Sequence, residues 1–493
     1  GSANMGFIRN GKTYTGTIYT TGSLSTFLLD SGTVKTIAIL NDNIAGSPVE
    51  TGIRNYGGTL MLNSGAVVNA GIGIANLDTT DVLPDGSSVK MIMTGGTVTA
   101  VSGDAILNGK AIKENGILLL DENTASDARL EISGTVAKIS ADGDGDYAGI
   151  HNTGILVIDG SVASLSGSEA GIVSTGTVTL NGAISGKGTG ILNTVNADNT
   201  LAGMLTLNGA VNGYDTAIIN RSFGELDENY AKLYVLSTAA IKGPGTENST
   251  AIINDGNALI EFSGTISNYA YGIEHLNSET NGKTRDLEIS GGTITVSNTG
   301  VLNRTGTVNV TGGTIEAGAV GIDNSKDATV NVLPGASVTG MSVAGIRNDG
   351  AMTVSGGEIT GSGANAVGIL NRAAAGAIIT GGTIKGSVGV DNIKDAAITI
   401  TNGTITGSGE AAVRNAGTLT ASGGTFNATM AGGAGILNMG NGKATLSQTL
   451  TFSVHEGDGS AAVRARGTGT VTVSANAGIT GKGARGISNE ENA

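Results

Sequence analysis

Residues 345–361 read GIRNDGAMTVSGGEITG, and this stretch contains the pattern that decides the fold. Three short segments in it alternate apolar and polar residues: Ile346 to Asn348, Ala351 to Ser355 and Glu358 to Thr360. Alternation with a period of two residues is typical of β-strands that bury one face. The breaks between the segments contain glycine, which accepts the positive φ angles of tight corners. The stretch therefore predicts three strands and three corners in one coil.

The first four residues of this stretch, Gly-Ile-x-Asn, recur through most of the chain. Full copies occupy 52–55, 73–76, 149–152, 190–193, 321–324, 345–348, 368–371 and 435–438. Looser copies occupy 105–108, 217–220, 251–254, 300–303, 389–392 and 412–415. Self-similarity at a period of roughly 20 to 30 residues indicates a solenoid. Because no helical pattern lies between the strands, the predicted class is all-β, a single-stranded parallel β-helix of about 18–20 coils with three strands each.

Each position of the repeated phrase has an expected structural role. The Ile or Val should point inward and stack on its counterparts in neighbouring coils, and the preceding Gly or Ala should be small at a crowded corner. The Asn tolerates left-handed backbone conformations and can form a ladder of side-chain amides from coil to coil. We expect Asn55, Asn152, Asn193, Asn348 and Asn371 to be structural residues rather than ligands.

Composition excludes several classes of function. The chain has no cysteine, so thiolate catalysis and cysteine-based metal centres are excluded, and no cofactor is expected. With 27 basic and 41 acidic residues the formal net charge is −14, which argues against a nucleic-acid partner. No apolar run approaches the roughly 20 residues of a membrane span, so we expect no membrane insertion of this segment.

The expected organisation has three parts. Residues 1–5 resemble a tag remnant, 6–50 are expected to form N-terminal capping or irregular rungs, and 51–493 are expected to form the β-helix.

The repeated phrases resemble the passenger domains of bacterial autotransporter adhesins and related β-helical surface proteins. Gly-Ile-Leu-Asn at 190–193, 368–371 and 435–438 carries this resemblance, together with the Gly-Thr-Ile cores at 292–294, 313–315 and 382–384. The resemblance implies a right-handed coil and export to the cell surface, where the protein is either secreted or attached. It also implies adhesion to a protein or glycan on host or bacterial cells.

An enzyme is the main alternative, because β-helices also host polysaccharide lyases and glycoside hydrolases. Such sites need clustered carboxylates. At the position between Ile and Asn the acidic residues Glu274, Asp323 and Asp391 are separated by other types, and His151, His275 and His455 are widely spaced. We therefore expect no catalytic residues and no enzyme activity.

Two further readings concern special ligands. The string Asp142-Gly-Asp144-Gly-Asp146 resembles the start of a calcium loop but lacks the later ligands of an EF-hand. A flexible acidic loop and a weak calcium site both remain open there, and no metal site is predicted. Ice binding through Thr-x-Thr arrays is disfavoured, because adjacent coils do not preserve the Thr pair.

The candidate binding region spans residues 173–271. Between Ile and Asn, four consecutive coils carry aliphatic residues, which inserts near 194–203 and 221–249 either cover or leave open to a partner. Aromatic residues are concentrated in the same region. The candidate binding residues are Val173, Leu192, Ile219, Ile253, Tyr230, Tyr234, Tyr269 and Tyr271.

Opposite charges recur at the same position in the second half of the chain. Asp323 next to Arg347, and Asp391 next to Arg414, predict pairing across adjacent strands on a solvated face.

Overall fold

A computed structural model describes residues 5–8, 13–15, 18–20, 26–29, 33–35, 51–80, 88–114, 117–223, 229–276, 285–374, 376–456, 459–475, 477–482 and 485–490. Within these ranges every regular element is a strand. The fold is a right-handed parallel β-helix, which confirms the predicted class. The chain divides into two compact units, and the division falls after Ile260. We call residues up to Ile260 unit 1 and residues from Glu261 unit 2.

Each turn runs through three faces. The first face follows the motif Asn, the second face follows a glycine-rich corner, and the motif face contains the repeated Gly-Ile-x-Asn phrase. First-face strands of unit 1 are β1 (Met5–Ile8), β4 (Thr26–Leu29), β7 (Gly58–Leu62), β10 (Val89–Met93), β14 (Arg129–Ile132), β18 (Ile155–Ile158), β22 (Thr177–Leu180), β25 (Met204–Leu207) and β28 (Lys232–Val235). The division between the units falls within β31 (Leu259–Phe262).

The other two faces of unit 1 repeat in the same order. Second-face strands are β2 (Thr13–Thr15), β5 (Thr33–Lys35), β8 (Val67–Ala70), β11 (Thr97–Ala100), β15 (Thr135–Val136), β16 (Lys138–Ala141), β19 (Ser161–Val162), β20 (Leu165–Ser166), β23 (Ala183–Ser185), β26 (Ala210–Asn212) and β29 (Ala240–Lys242). Motif strands are β3 (Ile18–Thr20), β6 (Thr51–Asn55), β9 (Ile72–Asp78), β12 (Ile106–Glu114), β17 (Ala148–Asn152), β21 (Ala170–Ser174), β24 (Thr189–Asn193), β27 (Thr216–Ser222) and β30 (Thr250–Gly256). An antiparallel hairpin joins β12 to β13 (Ile117–Asp121).

Unit 2 has the same three faces. First-face strands are β33 (Leu287–Ile289), β35 (Gly306–Val310), β38 (Ala328–Val332), β41 (Ala351–Val354), β44 (Ala377–Ile379), β46 (Ala397–Ile400), β48 (Thr418–Ala421), β51 (Lys443–Leu446) and β54 (Thr470–Val473). Second-face strands are β36 (Thr314–Ala317), β39 (Ser337–Gly340), β42 (Glu358–Gly361), β49 (Thr425–Ala428), β52 (Thr449–Val454) and β55 (Gly478–Lys482). Motif strands are β37 (Val320–Asn324), β40 (Ala344–Asn348), β43 (Val367–Asn371), β50 (Ala434–Met439), β53 (Ala461–Arg466) and β56 (Arg485–Glu490). Four long strands run through both of these faces: β32 (Thr265–Leu276), β34 (Thr293–Asn303), β45 (Thr383–Asn392) and β47 (Thr404–Asn415).

The β-helix has about 16 turns, somewhat fewer than the 18–20 coils predicted from the repeat. Regular pairing begins at β1, which lies parallel to β4, and β2 and β3 pair with β5 and β6. Most of the segment expected to contain irregular N-terminal rungs, including all of 36–50, lies outside the described residues.

The core is the predicted inward stack. The motif Ile of each turn pairs in register with the motif Ile or Val of the next, as Ile322, Ile346 and Ile369 do in unit 2. All three are fully buried, and so are the motif Ile53 and Ile150 of unit 1. Since each turn buries its apolar face only against the turns beside it, the stack is continuous within each unit.

The motif Asn residues form a buried ladder inside the coil, as predicted. In unit 2 the Nδ2 of Asn324 donates to Oδ1 of Asn348 at 2.8 Å and to the carbonyl of Ala351 at 2.9 Å. Asn348 donates in turn to Asn371 at 2.9 Å. Their backbone does not use the left-handed conformation that Asn tolerates, because no motif Asn is among the described residues with positive φ. The Asn is selected for its amide rather than for corner conformation.

The corner glycines have two different roles. Gly357, the second residue of the Gly-Gly corner, has a φ of 77°. Gly350 in the Asp-Gly corner has no positive φ, but a Cβ there would lie 2.2 Å from the carbonyl oxygen of Ala328 in the preceding turn. Only the first corner therefore needs glycine for its backbone conformation, and the second needs it for close approach between turns.

Candidate functional site

The residue between Ile and Asn points outward and forms one row along the motif face of each unit. In unit 1 this outward row contains Leu107, His151, Val173, Leu192, Ile219 and Ile253 on adjacent strands. Val173 is only 6% exposed and Leu192 only 9%, whereas Met204 on the first face is 38% exposed. The outward row of unit 1 is therefore buried more deeply than this first-face side chain, and we call the strip of the motif face along it the groove and the row its floor.

The part of this floor formed by Val173 and Leu192 is packed rather than open. Val173 and Leu192 form one cluster with Ala148 and Ala170, and the half-buried Ile219 packs against it. The two alanines lie two residues before the motif Ile of their strands. Small side chains at this position let the floor residues of neighbouring turns contact one another.

One side of the groove follows the corner after the motif Asn, which we call the asparagine corner. Among the described residues, segments outside the regular coil lie there at 109–114, 117–127, 194–203 and 229–231. The Nδ2 of Asn196 donates to Oδ1 of Asn123 at 2.8 Å, and the Nδ2 of Asn229 donates to the carbonyl of Asn199 at 3.1 Å. Segments from different turns are therefore joined into one wall.

The prediction of an insert at 221–249 is partly wrong. Its central part contains β28 and β29, which pair in register with β25 and β26 as ordinary strands of the next turn. The interval between the motif phrases at 217–220 and 251–254 is long because the corner segments before β28 and after β29 contain many residues. The segment near 194–203 is an insert as expected, and an antiparallel bridge between Val195 and Ala202 closes it.

The other side of the groove follows the corner before the motif strand, which we call the loop corner. Here a carboxylate of Asp104 accepts a hydrogen bond from the backbone N–H of Ala148 at 2.6 Å, and its second oxygen lies 3.4 Å from Nδ1 of His151. The Nε2 of His151 faces Glu122 of the asparagine-corner wall at 3.9 Å. His151 thus lies on the groove floor between carboxylates from both sides.

The pKa values of His151 and Glu169 in this cluster depend on each other's charge. Burial lowers the pKa of His151, but the hydrogen bond and charge of Asp104, with Glu122 and Glu169, outweigh burial and raise it above 6.5. Burial raises the pKa of Glu169, the charge of His151 opposes this, and Asp104, Asp146 and Glu122 raise it further. The cluster therefore combines a histidine and a carboxyl group whose pKa values are both raised.

The acidic string at 142–146 lies in the loop corner beside this cluster. The backbone N–H of Tyr147 donates to the hydroxyl of Ser168 at 2.9 Å, and that hydroxyl donates to the carbonyl of Gly145. Within the described part of the chain, no group of three or more His, Asp or Glu side chains is placed so that it could hold a metal ion.

The structure does not bring the eight candidate binding residues together. Val173, Leu192, Ile219 and Ile253 share the groove floor, but Tyr234 lies on the first face opposite Thr206.

The other tyrosines occupy three different environments. Tyr230 lies in the asparagine-corner wall, 4.8 Å from the ammonium of Lys232. Tyr269 and Tyr271 belong to unit 2, where Tyr269 is buried and the hydroxyl of Tyr271 accepts a hydrogen bond from Asn298 at 3.0 Å.

In unit 2 the outward row carries ion pairs. Nε of Arg347 donates to Asp323 at 2.7 Å and its second nitrogen bonds the other oxygen, while Arg414 contacts Asp391 at 2.9 and 2.6 Å. The predicted pairing is confirmed. The predicted solvated face is wrong, because Asp323 and Asp391 are each only 7% exposed.

Sequence reasoning missed Asp104, Glu122 and Glu169, because it searched for acidic residues recurring at one position of the repeat. These three occupy different positions: Asp104 lies two residues before a motif Ile, Glu169 lies three before, and Glu122 follows the β12–β13 hairpin. Indexing every residue by its offset from the motif Ile would have placed Asp104 and Glu169 just before the two motif strands that flank the strand of His151.

Among the described residues the structure contains no helix long and apolar enough to cross a membrane. Searches of the chain against protein-family models, curated proteins and solved structures find no match.

Proposed function

We propose that this chain is part of a bacterial surface-exposed or secreted β-helical adhesin that attaches the cell to host or neighbouring cells. The wall of linked asparagine-corner segments beside the groove of unit 1 is the observation that carries this proposal. Irregular loops on a rigid scaffold are the usual place for recognition in proteins. The buried Ile stack and Asn ladder supply such a scaffold within unit 1.

The experiment removes one part of the wall without removing a turn. Residues 194–203 join Asn193 to β25, and the equivalent corner after Ser174 is only Thr175-Gly176. Replacing 194–203 with Thr-Gly should preserve the coil and remove the Asn196–Asn123 contact. We expect adhesion of protein-coated beads to host or bacterial cells to fall by about five-fold or more, since a few residues dominate most interfaces.

A matched control shortens a corner in unit 2. Residues 325–327 join Asn324 to β38, and the next turn uses Asp349-Gly350 at this place. Replacing 325–327 with Asp-Gly should leave adhesion unchanged. Circular dichroism checks that both variants are folded. Full adhesion by the folded 194–203 variant would contradict the proposed location of the site.

A polysaccharide-active enzyme is the second candidate, and the cluster of His151, Asp104, Glu122 and Glu169 favours it. A carboxyl group with a raised pKa can act as a general acid, and a second carboxylate can act as base or nucleophile. Incubation with a panel of polysaccharides, followed by detection of new reducing ends or unsaturated products, tests this candidate. Product release that is lost in Glu169→Gln would favour the enzyme over the adhesin.

A further inference from the structure

The groove of unit 1 combines an apolar floor with acidic rims. Its floor is the aliphatic part of the outward row, from Val173 to Ile253. On the loop-corner rim, Asp146, Glu169 and Asp215 are exposed. Glu169 and Asp215 occupy the same position, three residues before the motif Ile, on strands two turns apart. This rim therefore presents carboxylates at intervals set by the turns.

Carboxylates also stand on the opposite rim. Glu122 has a side chain that is 62% exposed, and Asp198 is exposed in the 194–203 segment. The hydrogen bond between Asn196 and Asn123 joins the two segments that carry them. An occupant of the groove would thus meet negative charge on both sides.

Cations near the groove offset this charge only in part. Arg221 lies 3.4 Å from the buried carboxylate of Asp255. Lys187 is exposed on the loop-corner rim, in the turn between those of Glu169 and Asp215. His151 is held between Asp104 and Glu122. The groove therefore keeps a negative potential, which favours a cationic occupant.

We propose that this groove binds an extended, lysine-rich segment of a partner protein. The inference rests on the proposed adhesive function and names the class of its partner. A lysine side chain suits this site because its four-carbon stem can cover apolar surface while the ammonium group reaches a carboxylate. The half-buried Ile219 and Ile253 supply accessible apolar surface, and Asp146, Glu169 and Asp215 supply the charges.

The dimensions of the groove suit a short peptide segment. Neighbouring turns lie about 4.8 Å apart, so the floor from Val173 to Ile253 extends over roughly 14 Å. An extended chain advances about 3.3 Å per residue, so a segment of about five residues would span this floor. Alternate side chains of such a segment would face the floor and could turn their ammonium groups toward the rims.

The test measures binding of a fluorescein-labelled oligolysine peptide of about eight residues by fluorescence anisotropy. The rim variant carries Asp146→Asn, Glu169→Gln and Asp215→Asn together. The control variant carries Glu316→Gln, Asp327→Asn and Asp395→Asn, which removes the same charge from exposed positions of unit 2. We expect the rim variant to bind about ten-fold more weakly at physiological salt, and the control variant to bind as the unaltered protein does.

Equal loss in the two variants would overturn the proposal, because it would mean that net charge alone attracts the peptide. Absence of peptide binding, or preferential binding of a neutral oligosaccharide in the groove, would also overturn it. Adhesion measured in parallel separates this inference from the proposed function. If the rim variant loses adhesion while the peptide never binds, the function stands and the partner class is wrong. If the peptide binds through the rim but the protein adheres to no cell, the site stands and the function is wrong.

Discussion

Replacing Ser174 with Asn should stabilise the protein, because Ser174 interrupts the buried asparagine ladder of unit 1. Asn152 donates to the hydroxyl of Ser174 at 3.1 Å, but among the described residues nothing donates to Oδ1 of Asn193 in the next turn. Where the ladder is continuous, as from Asn55 through Asn76 to Asn108, the amide contacts are 2.6 and 2.7 Å. A side chain at 174 with the reach of Asn would donate to the oxygen that now lacks a partner.

The size of the effect follows from three contributions. A buried acceptor without a donor costs about 1–3 kcal/mol, and a typical new hydrogen bond contributes about 0.5–1.5 kcal/mol net. Ordering a longer side chain opposes this by up to about 1 kcal/mol. Space is adequate, because Asn occupies the same register position in the turns on both sides, at 152 and 193. We therefore expect Ser174→Asn to raise the free energy of unfolding by about 1 kcal/mol.

The reverse change supplies the matched test. Asn348→Ser introduces into unit 2 the interruption that Ser174 makes in unit 1. It removes the side chain that now donates to Oδ1 of Asn371 at 2.9 Å. It should lower stability by about 1–3 kcal/mol. Ser355→Asn, at an exposed site, controls for the substitution itself and should be neutral. Urea unfolding followed by far-ultraviolet circular dichroism gives the midpoints. A lower midpoint for Ser174→Asn, or no effect of Asn348→Ser, would refute the role assigned to the ladder.

Four further outcomes are expected. Ile346→Asp places an unpaired charge in the fully buried stack and should prevent cooperative folding, as loss of the circular dichroism signal would show. Arg347→Ala leaves the buried Asp323 without its partner and should cost about 1–3 kcal/mol, whereas Arg372→Ala breaks a more exposed pair with Asp349 and should cost less than about 1 kcal/mol in the same urea assay. Because the pKa of His151 is raised in the folded state, its pairing with carboxylates stabilises the fold fully below pH 6.5 and loses this effect as pH rises through the folded pKa. The difference in unfolding free energy between the unaltered protein and His151→Gln should therefore shrink from pH 5.5 to pH 8.5. Lys187→Gln should tighten oligolysine binding about two-fold by anisotropy, whereas Lys326→Gln in unit 2 should not change it.

The parts of the fold that could be predicted are those repeated in every turn. Alternation around Ile346 predicts which side chains point inward, and register then follows because a slip of one residue would expose the whole apolar set. The Asn ladder could be predicted for the same reason, since one residue type at one position in stacked strands meets itself. Opposite charges at Asp323 and Arg347 could be paired by the same reasoning.

Features that occur once in the chain could not be predicted this way. Glu122 reaches His151 only because the β12–β13 hairpin leaves the coil at one corner. The break at Ser174 is visible as a missing Asn, but the unpaired oxygen of Asn193 depends on how far a hydroxyl reaches. The burial of Asp323 also depends on the depth of the motif face, which no single strand encodes.

Sequence periodicity alone determines the class of this protein, its inward stack and its ladder, because each of these depends on contacts between identical positions in neighbouring turns. The tertiary structure decides where the groove of unit 1 lies, which carboxylates surround His151 and which outward residues are buried. Those features depend on corner segments of different lengths that contact one another across turns, as Asn123 and Asn196 do. Contacts between unlike, non-repeating segments leave no period in the sequence, so they emerge only when the coil is folded.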